Sequence, residues 1–378
     1  MEAAVAGPAT VLGTVRRVVA LDERSFLAHL EVERSLSGSH ASGEELAFAW
    51  DERLRDGPRR FGEGRRVLLV LEPLPGWSIW RKRLGDRRAV GVALRGEAFV
   101  LDPDPRTVDL LAAWLARSPA ERSGTAALPA LAALVEGASP GVARGALDRI
   151  DRTPGLARGL AGAPTGSLRR ALLDAGRPDS LREAFVQQIG QRGLVAFRPE
   201  LEALAHAPGP LAPAAVTAWA ALPGGLATAE VESLMSRSES AVRAAALAGA
   251  PAGFPIARLQ AALSEDPAPE VRSAAVYALV ERQGMSVFAQ LAPLLDDPNQ
   301  PEGAAAIRAL GGLGEPAVAP LARRARARGL TGARGPLLAL SLAGPQGLAA
   351  LREIGATHPD ESVRGLANFL LGRMPKAH

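Results

Sequence analysis

Apolar residues recur at helical spacing through the last two thirds of the chain, and residues 266–295 show the pattern most clearly. In that stretch the positions i, i+3, i+4, i+7 and i+8 of one helix are occupied by Val271, Ala274, Ala275, Ala278 and Leu279. Asp266 and two prolines just before them indicate a turn. The segment therefore predicts a short helix with small residues on its inner face, which neighbouring helices can approach closely.

The same pattern returns along the chain when the sequence is aligned on Arg272. Eight equivalent positions, most of them about 30 residues apart, are Ala143, Arg182, Ala215, Arg243, Arg272, Gly303, Arg334 and Arg364. We call them the anchor positions. Another apolar-periodic segment precedes each anchor, for example at residues 256–263, 288–295 and 318–321. Since so short a helix pair cannot bury its own apolar face, we predict a stacked repeat of helix, turn and helix.

These residues resemble HEAT repeats of the short kind over roughly residues 121–375, most clearly at residues 242–314 and 358–372. The resemblance implies an α-solenoid of about eight repeats, joined by a ladder between the turn aspartate and the helix arginine. The units near Ala215, Gly303 and Arg334 lack part of this motif. Glycines and prolines over residues 152–176 predict a distorted repeat or a long loop there.

The first hundred residues follow the period of two that is typical of β-strands. Strands are predicted at residues 10–21, 26–32, 46–50, 67–71, 90–94 and 98–101. Residues 67–71 are continuously apolar, which suits a strand covered on both faces. A short helix is predicted over residues 107–115. Five or six strands in so short a stretch favour a small closed barrel.

Residues 31–38 and 61–75 resemble the OB-type barrel of netrin-like and metalloprotease-inhibitor-like modules. Those modules usually carry cysteines and this chain has none, so the likeness is to the barrel and not to an inhibitory activity. The predicted fold class is multidomain β plus α. An OB-like β-barrel spans residues 1–105, a connecting helix spans residues 106–120, and an all-α HEAT-type superhelical solenoid spans residues 121–378.

Composition changes this picture little. The sequence pI is about 10.4, yet the net charge is only +4, from 44 Lys and Arg against 40 Asp and Glu. Nearly all the bases are Arg, a bias that a GC-rich, bacterial genome would impose, so the pI is not evidence for nucleic-acid binding. The absence of cysteine excludes disulfides, thiolate metal sites and a cysteine nucleophile.

The sequence offers little catalytic chemistry. Its 5 histidines are scattered, and no lysine lies in a glycine-rich loop. Residues 137–141 match G-x-S-x-G but join two predicted helices, whereas a nucleophile elbow needs a strand before it. We predict a non-enzyme without metal or cofactor. No membrane span is predicted, and the start has no signal peptide as written. The expected location is the cytoplasm, or outside it if Met1 replaces a removed signal.

Two basic clusters are candidate surfaces. On the barrel, Trp77, Trp80 and Arg81 have the composition of a surface that stacks single-stranded nucleic acid, or of a tryptophan pair that packs the end of the barrel. In the predicted first helix of the seventh repeat are Arg323, Arg324, Arg326 and Arg328. The HEAT resemblance places first helices on the convex face, so these arginines are interpreted as a solvated face.

The concave face is sampled five residues beyond each anchor, at Asp148, Gln187, Ala220, Ala248, Tyr277, Arg308, Ala339 and Phe369. This row contains no run of cations that could follow a phosphate backbone, so it suits a peptide or protein. The candidate binding residues are Gln187, Tyr277, Arg308 and Phe369. The predicted function is a non-catalytic scaffold that binds an unidentified protein or peptide. The alternatives are nucleic-acid binding through the barrel and, less favoured, an enzyme of the HEAT-like glycosylase or lyase kind.

Overall fold

The N-terminal part of the protein is a six-stranded sheet. A computed structural model describes residues 9–51, 61–72, 79–84, 91–93, 99–160 and 166–373. The strands are β1 (Ala9–Ala20), β2 (Ser25–Ser37), β3 (Glu45–Asp51), β4 (Arg66–Glu72), β5 (Gly91–Ala93) and β6 (Phe99–Leu101). Their order is β1-β2-β3-β5-β4-β6, and β1 also pairs with β4. All pairs are antiparallel except β3 with β5. The predicted β element is confirmed as a sheet, and its closure into an OB-type barrel stays a prediction.

The core of the sheet follows the predicted alternation. Alternate residues of β2 and β3 enter one apolar cluster, in which the ring centroids of Trp50 and Phe61 lie 5.1 Å apart and edge to face. The opposite face of these strands packs Leu27 against Leu84. Every residue of the run 67–71 is buried, as expected for a strand covered on both faces.

Helices make up the rest of the chain. They are α1 (Ile79–Leu84), α2 (Pro105–Leu115), α3 (Leu128–Gly137), α4 (Pro140–Arg152), α5 (Pro154–Gly159), α6 (Gly166–Leu173), α7 (Asp179–Arg192), α8 (Arg198–His206), α9 (Ala212–Ala221), α10 (Thr228–Met235), α11 (Ser240–Ala248), α12 (Ile256–Glu265), α13 (Pro269–Gln283), α14 (Phe288–Leu291), α15 (Pro301–Gly312), α16 (Glu315–Arg326), α17 (Leu330–Leu342), α18 (Gly344–Thr357) and α19 (Glu361–Arg373). Each anchor position lies in the second helix of a pair, so the repeat pattern is confirmed. The short α5 between the first two pairs accounts for the long interval between their anchors.

The chain forms two compact units, Met1–Glu200 and Leu201–His378. The first unit contains the sheet and the first two helix pairs, and the second contains the remaining anchors. Within the second unit, successive second helices pack against each other, from α9 through α11, α13, α15 and α17 to α19. The predicted inner face of α13 is buried throughout, including Ala275 and Leu279. Small residues therefore face the neighbouring helices, as the spacing predicts.

Three anchor arginines bind the turn before their own helix, and two of them also reach the next repeat. Nη1 of Arg243 donates to the carbonyl oxygens five and six residues before it, and Arg272 and Arg364 repeat this geometry. Nε and Nη2 of Arg243 also donate to the carboxylate of Asp266 in the next turn, both at 2.9 Å. Arg272 reaches Glu302 instead, at 3.1 and 3.2 Å. The ladder implied by the HEAT resemblance thus exists here with a different acid at one step.

The sixth repeat departs from the predicted pattern. Residues 288–295 were expected to form one helix, but α14 is a single turn between the 3-10 segments Gly284–Val287 and Ala292–Asp296. Pro293 explains the break, because it lacks the backbone N–H that would continue the α-helix. The anchor of this repeat is Gly303, where an added Cβ would lie 2.1 Å from the carbonyl oxygen of Asp297. The turn therefore occupies the space that an anchor side chain would need.

The arginines of α16 are not all on a solvated face, which corrects the sequence interpretation. Nη2 of Arg324 donates to both carboxylate oxygens of Asp296 at 2.8 Å, and this arginine side chain is largely buried. Arg326 pairs with Glu353 of the following repeat at 2.7 Å. Arg323 and Arg328 are exposed. Two of the four arginines thus bind neighbouring repeats, and two face solvent.

The packing predicts a large difference between a core and a surface substitution. Leu279→Ala should lower the free energy of unfolding by roughly 2 to 5 kcal/mol, because a fully buried side chain would leave a cavity. Arg308→Ala, at an exposed position, should change it by less than about 0.5 kcal/mol. Urea denaturation followed by circular dichroism measures both. Equal effects would mean that the helix register is wrong.

The ladder predicts that two anchor arginines differ in importance. Arg243→Ala should cost roughly 2 to 3 kcal/mol, because it leaves the nearly buried Asp266 without its partner. Arg334 is the matched control, since it is an exposed anchor with no polar contact among the described residues, and Arg334→Ala should cost less than about 0.5 kcal/mol. Thermal and urea unfolding of both variants decide this, and similar losses would contradict the ladder.

The same ion pair predicts a pH dependence. Hydrogen bonds from Arg243 hold the pKa of Asp266 below its usual value of 3.8, so the folded state favours the charged carboxylate. Its stabilising contribution is present above that usual value and is lost as the pH falls through the lowered pKa. Asp266→Asn should therefore flatten the acid limb of stability against pH. If the substitution leaves the acid limb unchanged, the loss of stability at low pH is due to other carboxylates.

A further prediction concerns separability of the sheet from the helical region. Proteases should cut between Leu101 and Gly124, because residues 102–105 alternate Asp and Pro after the last strand and residues 118–124 are polar. The main-chain N–H of Ser139 donates to Oγ1 of Thr107 in α2, and Arg149 lies over the buried Trp114. A fragment of residues 103–378 should therefore stay soluble and helical by circular dichroism, whereas one of residues 121–378 should be less stable. Precipitation of the longer fragment would mean that the sheet is a necessary cap.

Candidate functional site

Tyr277 and Arg308 lie on successive second helices, α13 and α15, and their side chains meet. Nε of Arg308 donates a hydrogen bond of 2.7 Å to the hydroxyl oxygen of Tyr277. The Tyr277 side chain, from the single tyrosine of the sequence, is 40% exposed. The sequence placed both residues on one face of adjacent repeats, and the structure joins them in a polar pair. We call this the Tyr–Arg pair.

The Tyr–Arg pair presents hydrogen-bond donors to solvent. The tyrosine oxygen accepts from Arg308, so the tyrosine hydroxyl proton is left to donate elsewhere. The two Nη groups of Arg308 have no acidic partner within the described part of the chain. Glu281 is exposed one helical turn beyond Tyr277 and forms no ion pair with Arg308. The pair therefore suits a ligand that brings acceptor oxygens, such as a carboxylate.

Small residues surround the pair. Ala248 occupies the equivalent row position on α11 and is exposed. Gly312 lies one turn beyond Arg308, and an added Cβ there would meet no atom within 4 Å. The surface beside the pair is therefore open, and a ligand could reach the ring of Tyr277 and the guanidinium of Arg308 together.

The other candidates of the row are separate from this pair. Phe369 on α19 is 56% exposed, and the guanidinium of Arg373 lies 5.2 Å from its ring centroid. Gln187 belongs to the first unit, where its side-chain amide donates to Glu183 at 3.3 Å. Ala339 is buried. The position five residues beyond the anchor is therefore not exposed in the seventh repeat, although the sequence register predicted an exposed position there. The binding roles of Gln187, Tyr277, Arg308 and Phe369 stay predictions.

The candidate surface of the sheet is only partly visible. Trp77 lies outside the described residues, and Trp80 and Arg81 belong to α1 with side chains that are not described. The neighbouring Arg83 donates to both carboxylate oxygens of Asp51, at 2.9 and 3.1 Å. This arginine ties α1 to β3, and the stacking role of the other three residues stays a prediction.

Over the residues that the structure describes, no group of three or more His, Asp or Glu side chains is arranged to hold a metal ion. In the same residues, no helix has the length and apolar character needed to cross a membrane. The segment 137–141 joins the end of α3 to the start of α4, so its serine has no strand before it.

Paired helices at a spacing of about 30 residues define the helical region as an α-helical repeat protein. Residues 256–334 match the family model for HEAT repeats, so this part of the chain consists of HEAT repeats. No curated protein sequence matches the chain. Among solved structures, human deoxyhypusine hydroxylase in complex with glycerol is similar at 19% identity, over 65% of this chain and 95% of that one, with a TM-score of 0.27. So loose a superposition carries no argument about activity.

Proposed function

We propose that the protein is a non-catalytic scaffold that binds a protein or peptide on the second-helix face of its HEAT repeats. The observation that carries the proposal is the Tyr–Arg pair, which joins two adjacent repeats in one exposed polar contact. Tyrosine and arginine are the residue types most often found as anchors of protein interfaces. Because both present donors, the bound segment contributes acceptor oxygens, and a carboxylate satisfies the guanidinium best.

The helical region is proposed to be a solenoid, and the sheet an OB-type barrel. Packing of each second helix on the next in the second unit supports the solenoid. Strand pairings support the barrel, because β1 pairs with β2 and β4 while β5 pairs with β3 and β4. Together with the β2–β3 pairing, these contacts favour a barrel, and closure would remove the edges of the sheet. The barrel does not by itself identify a ligand.

The test uses peptides selected against the purified full-length chain from a random display library. Tyr277→Ala with Arg308→Ala should weaken the selected peptides at least about tenfold, because both anchors are lost. Arg258→Ala with Arg352→Ala removes two exposed arginines from first helices and should leave binding unchanged. Tyr277→Phe should lose part of the affinity, since it keeps the ring and removes the hydroxyl. Fluorescence anisotropy measures each dissociation constant.

Two outcomes would sink the proposal. One is an equal loss of binding in the first-helix control, which would mean that the selected peptides respond to total charge. The other is submicromolar binding of DNA or RNA oligonucleotides that survives an increase in salt from about 50 to 200 mM. That result would move the leading site to the barrel cluster of Trp77, Trp80 and Arg81.

A further inference from the structure

A groove opens beside the broken first helix of the sixth repeat. The first helices before and after it, Ile256–Glu265 and Glu315–Arg326, are continuous, whereas α14 has one turn. A single turn covers less of α16 than a full helix would. The space left between α14 and α16 is a groove of about 610 Å³. We call it the first-helix groove.

The floor of the first-helix groove is apolar. Met285 and Phe288 line one side, and Pro316 and Pro320, one helical turn apart on α16, line the other. Met285, Phe288 and Pro320 are half-buried. These side chains offer a surface on which one apolar side chain of a ligand can lose its contact with water.

The groove also offers a backbone acceptor. Pro320 lies inside α16 and has no N–H, so the carbonyl of Pro316 lacks the donor that an α-helix normally supplies from four residues ahead. Both prolines line the groove. A peptide N–H is the kind of donor that this carbonyl lacks.

Cations line the end of the groove. Arg324 is fixed by its paired hydrogen bonds to Asp296, whereas Arg323 and Arg328 are exposed and have no ion pair within the described residues. Of the residues that the structure describes, no acidic one lines the groove, and the carboxylate of Asp360 lies next to Gly329, beyond Arg328. Arginines near the C-terminus of a helix interact favourably with the helix dipole. That interaction does not require an apolar groove floor beside the arginines, so it does not account for the two features together.

We propose that the first-helix groove is a second binding site, for an acidic peptide segment that carries an apolar side chain and belongs to a partner protein. The apolar side chain lies on Phe288 and the two prolines. Carboxylates of the segment pair with Arg323 and Arg328, and one of its N–H groups donates to the Pro316 carbonyl. Charge complementarity selects this occupant, since the described groove lining contains arginines and no acidic residue. The site lies on first helices and does not depend on the Tyr–Arg pair.

The experiment compares four fluorescein-labelled octapeptides on the full-length protein: acidic with a phenylalanine, acidic without an apolar residue, neutral with a phenylalanine, and basic with a phenylalanine. The first should bind at least about tenfold more tightly than each of the others, because only it satisfies both the floor and the arginines. Rising salt should weaken the binding of this first peptide, because salt screens its attraction to the arginines. An equal affinity of the acidic and basic peptides would overturn the proposal.

Three variants locate the binding. Arg323→Glu with Arg328→Glu should weaken the acidic peptide at least about tenfold, and Ala289→Trp should block the groove from an exposed lining position. Arg334→Glu with Arg352→Glu is the matched charge control and should leave binding unchanged. Thermal unfolding of each variant confirms folding. Binding that survives both groove variants, or falls equally in the control, would refute the site.

Two other occupants are tested at the same time. Analytical ultracentrifugation of the wild type and Ala289→Trp detects a second copy of the chain in the groove, and self-association abolished by this substitution would overturn the partner peptide. A single-stranded oligonucleotide that displaces the acidic peptide at physiological salt would overturn it in favour of nucleic acid. Loss of the Tyr–Arg pair should leave the acidic octapeptide bound, which separates this site from the second-helix face.

Discussion

Close approach of backbone to backbone is the constraint on which the sixth and seventh repeats depend. The 3-10 segment after α14 directs carbonyl oxygens toward the second helices. A Cβ added at Gly335 on α17 would lie 2.0 Å from the carbonyl oxygen of Leu295. Gly303, on α15, comes equally close to the same turn. The glycine at the anchor position and the broken first helix are therefore linked, because the turn after α14 occupies the space that an anchor side chain at Gly303 would need.

The arginines of the chain serve mainly to join repeats. Arg237 donates to the carbonyl of His206 at 2.6 Å, and Arg282 donates to those of Ala250 and Phe254 at 2.8 and 2.9 Å. Guanidinium groups suit this work, since one planar group can serve several carbonyls and a carboxylate together. A pI near 10.4 is thus compatible with many arginines that are engaged within the structure. Arg308 and Arg323, by contrast, are exposed and have no acidic partner among the described residues.

Much of the fold could be predicted because its signals are local. The helical period buries Val271 and Leu279, and the repeat spacing brings Tyr277 to Arg308 although they are 31 residues apart. The incorrect predictions share a cause. The helix register is taken from one repeat, on the assumption that every repeat has the same geometry. Ala339 is buried where α17 closely approaches Gly311 of α15, and residues 288–295 are broken near Pro293. Pro293 was the available signal, whereas the groove depends on the absence of a covering helix, which no local pattern contains.

The two proposed sites use opposite parts of the repeat unit. The Tyr–Arg pair is built on regular second helices, whose row positions come into contact only because each helix packs on the next. The first-helix groove lies between first helices, beside the one that is irregular. The anchoring residues of the two proposed sites lie on helices of different kinds, so neither proposal uses the residues of the other. Two sites within repeats five to seven would let the protein hold two acidic segments together, and tethering the second segment would then raise its effective concentration without any new contact.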